Sequence, residues 1–147
     1  MRFLTLFAIM AIVVVGPWFD RTVQAQATGQ IMIETQAGPV QITAEYAITS
    51  QQRARGLMGR TSLPERHGML FIYEKPQPIT MWMKDTPLSL DMLFINRRGI
   101  VRRIEEKTEP NSTRKIHSAG KAIAVLELAG GSAKRLGIKA GDQVILP

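Results

Sequence analysis

The chain has 147 residues, a formal net charge of +7, two histidines and no cysteine. The missing cysteines exclude disulfide staples, thiol catalysis, thiolate metal sites and a lipid-bearing cysteine after the leading apolar run. Basic residues are scattered, and no aromatic residues interleave with them as a stacking platform, which argues against a nucleic-acid partner.

Met1 to Ala27 reads as an export signal. Arg2 is a minimal positive start, Leu4 to Val15 is an apolar stretch of signal length, and Gly16-Pro17 breaks any helix. Ala25-Gln26-Ala27 is a small-x-small cleavage site, with Val23-Gln24-Ala25 as an alternative two residues earlier. The apolar run falls short of the ~20 residues of a spanning helix, so cleavage is favoured over anchoring. Membrane contact is expected only through this segment if it stays uncleaved. The expected location is periplasmic or secreted, with residues 28–147 forming a single domain. Export turns the basic charge away from nucleic acid, towards a solvated surface or an anionic envelope polymer.

Along the mature chain, Gln30 to Thr35 and Val40 to Ile48 alternate apolar and polar residues around Ala37-Gly38-Pro39, which predicts a strand pair. Thr49-Ser50-Gln51-Gln52 has the form of a capping box, and Gln51 to Met58 predicts a short helix ended by Gly59, with Leu57 and Met58 turned inward. Met69 to Tyr73 is an apolar strand that Pro76 and Pro78 are expected to stop, and Ile79 to Met83 is a separate short strand. Leu90 to Ile95 and Ile100 to Glu106 flank Asn96-Arg97-Arg98-Gly99 as a hairpin. Ala122 to Ala129 is a strand interrupted by Glu127. Ser132 caps a brief helix that Gly137 ends, and Gln143 to Leu146 is a last strand. Short strands at close spacing with few helices predict a mainly β domain, a compact barrel or sandwich with one or two short helices.

Several ordered blocks stand out: Arg55-Gly56-Leu57-Met58-Gly59-Arg60, Gly68-Met69-Leu70-Phe71, Trp82-Met83-Lys84-Asp85-Thr86 and Leu90-Asp91-Met92-Leu93-Phe94. Leu126-Glu127-Leu128 and Leu136-Gly137-Ile138-Lys139-Ala140-Gly141-Asp142 follow. Together they closely resemble domain-of-unknown-function family 192, over about Val40 to Val144. The resemblance implies a mainly β fold, often behind a signal peptide, and no assigned reaction. Two departures are visible: the family usually has Asn where this chain has Asp85, and Pro where it has Ser89.

The segment Trp82 to Asp91 is a candidate ligand site. Trp82 offers a broad face, and Lys84, Asp85 and Asp91 offer directional charge, a combination that suits a sugar or another polar small molecule. Arg55, in the first family block, joins the candidate set. The competing structural reading packs Trp82 in the core, has Asp91 cap a turn or pair with an arginine, and leaves Lys84 solvated. Met81 and Met83 supply soft thioethers, so a periplasmic Cu(I) site is an alternative, against methionine as adaptable core filler. A carbohydrate-active enzyme is a second alternative, needing two of Asp85, Asp91 and Glu127 across one cleft. Glu127 draws notice as a carboxyl inside an apolar strand. Ser112-Thr113-Arg114-Lys115 matches Ser-x-x-Lys in a turn context that gives it no catalytic meaning. His67 and His117 lack the neighbours of a ligand cluster. The leading expectation is an exported, non-catalytic binding module of unknown ligand, without cofactor or metal.

Overall fold

The computed structural model describes residues 26–147, so the export segment expected at Met1 to Ala27 lies outside the described residues except for its last two positions. Seven strands form one sheet. They are β1 (Thr28–Thr35), β2 (Gly38–Ala47), β3 (His67–Met81), β4 (Leu90–Ile95), β5 (Val101–Glu105), β6 (Ile116–Ala129) and β7 (Gln143–Ile145). Two short helices, α1 (Ser50–Arg55) and α2 (Ser132–Arg135), complete the set.

Sheet order is β5-β4-β6-β3-β2-β1-β7, antiparallel throughout except for the parallel pair β2 and β3, which α1 joins by a crossover. The two edges of this curled sheet meet. Ile100 bridges to Gln143, Val101 N–H donates to Asp142 carbonyl at 2.9 Å, and Val144 N–H donates to Gly99 carbonyl at 2.7 Å. Edge groups that would invite a second chain are thereby partly paired within the molecule. The result is a half-barrel, a mainly β domain as the alternating sequence predicted.

Strand alternation sorts the apolar residues into two cores. Ile33, Ile42, Leu70, Leu93, Leu126 and Leu128 fill the concave side with Ala133 and Ile138. Met69, Phe71, Met83, Leu90, Met92, Phe94 and Val125 build a second cluster on the other face, closed by Leu57 and Ile79. Between β3 and β4, the Ala124 to Leu128 part of β6 is covered by both clusters and reads as an apolar run broken by Glu127.

Two local expectations change. Pro76 and Pro78 do not end the strand: β3 runs through both. Its pairing with β6 slips between Ile72 and Gln77 and again between Pro78 and Thr80, so irregular ladder positions absorb the prolines' missing N–H groups. The first helix stops at Gly56, with φ of 47°, rather than at Gly59. Thr49 and Gln52 do form the reciprocal capping box expected of them.

Gly68 sits on β3 opposite Leu128 of β6, with no room for a side chain. A Cβ there would lie 2.5 Å from Glu127 carbonyl oxygen and 2.9 Å from Leu128 Cδ2. Gly68→Ala is therefore expected to destabilise the domain by about 2 kcal/mol, through forced separation of two central strands. A denaturant midpoint equal to the wild type would show that the strands can part without cost.

Candidate functional site

An irregular segment follows β3, and buried anchors hold it. Met83 is 1% exposed, its N–H donates to Ser112 carbonyl at 2.9 Å, and its sulfur accepts from Thr108 Oγ1 at 3.2 Å. With Met83 turned in, Trp82 turns out and is 40% exposed. The competing reading, in which Trp82 packs in the core, is overturned. β3 pairs Met81 with Ile116, and this register places the residues just beyond them, Trp82 and Lys115, side by side. The ammonium of Lys115 lies 4.1 Å from the Trp82 ring centroid and that of Lys84 lies 5.6 Å away. Both contacts are within cation–π range.

These residues form one wall of a cavity of about 350 Å³. The opposite wall is the end of α1 and the turn after it: Arg53, Ala54, Arg55, Gly56, Leu57 and Met58. Phe71, Tyr73, Thr80 and Met81 contribute from β3, and Glu127 contributes from β6. Arg53 stacks on Tyr73, with its Cζ 4.7 Å from the ring centroid. It also donates to the carbonyls of Ile48 and Ile72, the latter at 2.9 Å. The Tyr73 hydroxyl meets Met81 Sδ at 3.9 Å. Burial pushes that hydroxyl's pKa up, the neighbouring Arg53 charge opposes the rise, and the Glu127 charge adds to it.

Glu127 is the unusual group. It stands on β6 between Met69 on β3 and Met92 on β4, and it is 4% exposed. No donor among the described residues reaches its carboxyl, and burial alone drives its pKa up to about 8. No side-chain oxygen or nitrogen fully removed from solvent lacks a partner among the described residues. The carboxyl oxygens therefore keep their small exposure towards the cavity that Glu127 lines. At neutral pH this is a protonated acid at the floor of a cavity whose other charged groups are Arg53, Arg55, Lys84 and Lys115.

Of the residues singled out in the sequence, the fold brings Trp82, Lys84 and Arg55 to this cavity and leaves Asp85 and Asp91 out of its lining. Asp91 is fully buried elsewhere. Its Oδ1 accepts N–H from Lys107 at 2.8 Å and Gly131 at 2.9 Å, and its Oδ2 accepts N–H from Ala133 at 2.8 Å. It thus serves as the cap of α2, whose own N-cap, Gly131, has no side chain to offer. Asp85 is exposed at φ 53°, and its carbonyl accepts from Gly59 N–H at 2.8 Å. Asn and Asp are the non-glycine residues that best tolerate this backbone region, so the exchange at position 85 fits a turn requirement. With Asp85 and Asp91 outside it, the cavity does not assemble the carboxylate pair that glycoside cleavage needs. Arg53, Tyr73 and Lys115 escaped the sequence reading. Arg53 and Tyr73 look like ordinary helix and strand residues, and Lys115 meets Trp82 only through strand register.

Sequence comparison agrees with the blocks quoted above. The profile of DUF192, described as an uncharacterised ACR, matches residues 31–146. The chain belongs to this family. Solved structures similar to this DUF192 chain include a Sinorhizobium meliloti 1021 protein provisionally described as a transcription regulator. The two are 40% identical with a TM-score of 0.80, and the match covers 82% of this chain and 95% of that one. A protein of unknown function from Novosphingobium aromaticivorans DSM 12444 is 35% identical with a TM-score of 0.82, over 85% of this chain and 89% of that one. No curated protein matches the chain.

Proposed function

We propose that this DUF192 protein is an exported, non-catalytic module that binds a small anionic molecule in the cavity between α1 and the Trp82 loop. The observation that carries the reading is Glu127, a nearly buried carboxyl that faces a cavity and has no partner among the described residues. Desolvating such a group without a partner costs up to about 1–3 kcal/mol, less whatever cavity water restores. A ligand that completes its hydrogen bonding explains why the site keeps it. The volume falls at the lower end of the roughly 300–1,000 Å³ range of small-molecule sites, which favours a compact ligand or a single polymer unit.

The copper alternative has less support. Met81 and Met83 both belong to the second core face, but their sulfurs serve different hydroxyls, those of Tyr73 and Thr108. The description carried by the Sinorhizobium protein also finds little support on this chain. The longest helix among the described residues has six residues, too short to lie along a DNA groove as a recognition helix does.

Native mass spectrometry of mature protein from its own envelope compartment tests the proposal, paired with thermal-shift measurements against small anions. A retained organic mass that Trp82→Ala loses is the expected result. The half-exposed position of Trp82 keeps the stability change of that variant within about 1 kcal/mol. A copper-sized increment would move the assignment to the methionines. A bare chain that no small anion stabilises would end it.

A further inference from the structure

Charge is distributed unevenly over the cavity. Its mouth carries the exposed side chains of Arg55, Lys84 and Lys115, and the only acid in its lining is the buried Glu127. The salt bridges among the described residues engage Arg60, Arg103, Arg114 and Arg135, so the cations at the mouth have no carboxylate of their own. Lys84 and Lys115 reach the same indole from separate segments. An anion arriving beside Trp82 enters the positive field of both ammonium groups. A bare anion uses only the cations at the mouth, because the rest of the lining offers the Glu127 carboxyl, the hydroxyls of Tyr73, Thr80 and Thr86, and apolar Leu57, Phe71 and Met81. An occupant that satisfies both ends carries an anionic group at one end, a hydroxyl at the other and a carbon skeleton between them.

Resting on the reading of the cavity as a binding site, we propose that its ligand is an acidic sugar. The sugar carboxylate pairs with Lys84 and Lys115, the ring lies beside Trp82, and a ring hydroxyl meets Glu127. The chemistry is recognition only, and no bond is made or broken. Tyr73 from β3, Arg53 and Arg55 from α1, Lys84 after β3 and Lys115 before β6 are the titratable and charged groups lining the cavity around Glu127. The flanking Met69 and Met92 carry no charge. Ionisation of Glu127 removes its O–H donor from the ring hydroxyl and adds a negative charge to the cavity that holds the ligand carboxylate. Affinity therefore falls as pH rises past about 8, the point to which burial raises this carboxyl.

Isothermal titration of the mature chain with D-glucuronate and D-galacturonate tests this, with D-glucose and inorganic phosphate as the matched probes. Uronate is expected to bind at least tenfold more tightly than either control. Lys84→Ala/Lys115→Ala should weaken uronate at least tenfold while leaving the melting temperature unchanged, because both side chains are exposed. Glu127→Gln should hold its uronate affinity from pH 7 to pH 9, over which the wild type loses about tenfold. Glucose binding as tightly as uronate overturns the charge requirement. Phosphate binding as tightly overturns the sugar, and no uronate binding at all overturns the proposal outright. Glucose or phosphate binding leaves the cavity a binding site for another ligand, as does a molecule retained in native mass spectrometry, whereas a bare chain that binds none of the probes removes both readings.

Discussion

Glu127→Gln is expected to make the folded protein more stable than the wild type at alkaline pH by roughly 3–5 kcal/mol, and to leave the two nearly equal near pH 4. Burial raises the Glu127 pKa from 4.5 to about 8 in the folded chain. Between those values the folded state holds a proton that the unfolded state releases. Stability from this group is fully present below pH 4.5, declines as pH rises, and is lost once pH has passed about 8. Glutamine keeps the volume and the hydrogen-bonding capacity without a proton to lose, so its stability does not follow this decline. Urea unfolding of both proteins at pH 4, 6, 8 and 9 gives the difference directly, since every other titrating group is common to the pair. Parallel stability curves would mean that water or a moving side chain already solvates the carboxyl, and the energetic case for a ligand would weaken with it.

The second large effect is expected at Asp91. Asp91→Ala removes the acceptor of three backbone N–H groups, those of Lys107, Gly131 and Ala133, at a position with no exposure. Buried donors left without partners cost about 1–3 kcal/mol each, and relaxation or water entry recovers part of this, so a net loss of about 3–5 kcal/mol is expected. α2 and the turn carrying Lys107 should loosen together, because one side chain ties both to β4. Amide hydrogen exchange reads this out: protection at Lys107, Gly131 and Ala133 should fall in the variant well before that of β3. A folded Asp91→Ala protein with unchanged protection would return Asp91 to consideration as a ligand residue.

These two carboxyls show where residue type and position in the chain stop being informative. Both lie on apolar strands, in the blocks Leu-Asp-Met-Leu-Phe and Leu-Glu-Leu. Asp91, next to the Trp82 loop in sequence, reads as part of that loop's chemistry, yet its side chain is committed to backbone donors that come from 16, 40 and 42 residues away. Glu127 is 45 positions from Trp82 and reads as one carboxyl among three. The β3–β6 pairing brings the two into one cavity. Period-two alternation shows that a side chain leaves the opposite face from its neighbours, but not whether water, a donor or a methionine meets it there.

The sequence by itself determined the strand-rich class, the hairpin at Asn96 to Gly99, the capping box at Thr49 and the family. Each of these rests on residues close together in the chain, where hydrogen-bonding and steric preferences act locally. Trp82, Lys84 and Arg55 were also legible as candidates, because their types are unusual beside their neighbours. Only the tertiary structure decided that Met83 turns in so that Trp82 turns out, that β3 survives two prolines, and that Asp91 is a cap rather than a ligand group. It also placed Lys115, Arg53, Tyr73 and Glu127 around one cavity. Those outcomes depend on register between strands far apart in the chain, where a shift of one residue would send every side chain to the other face.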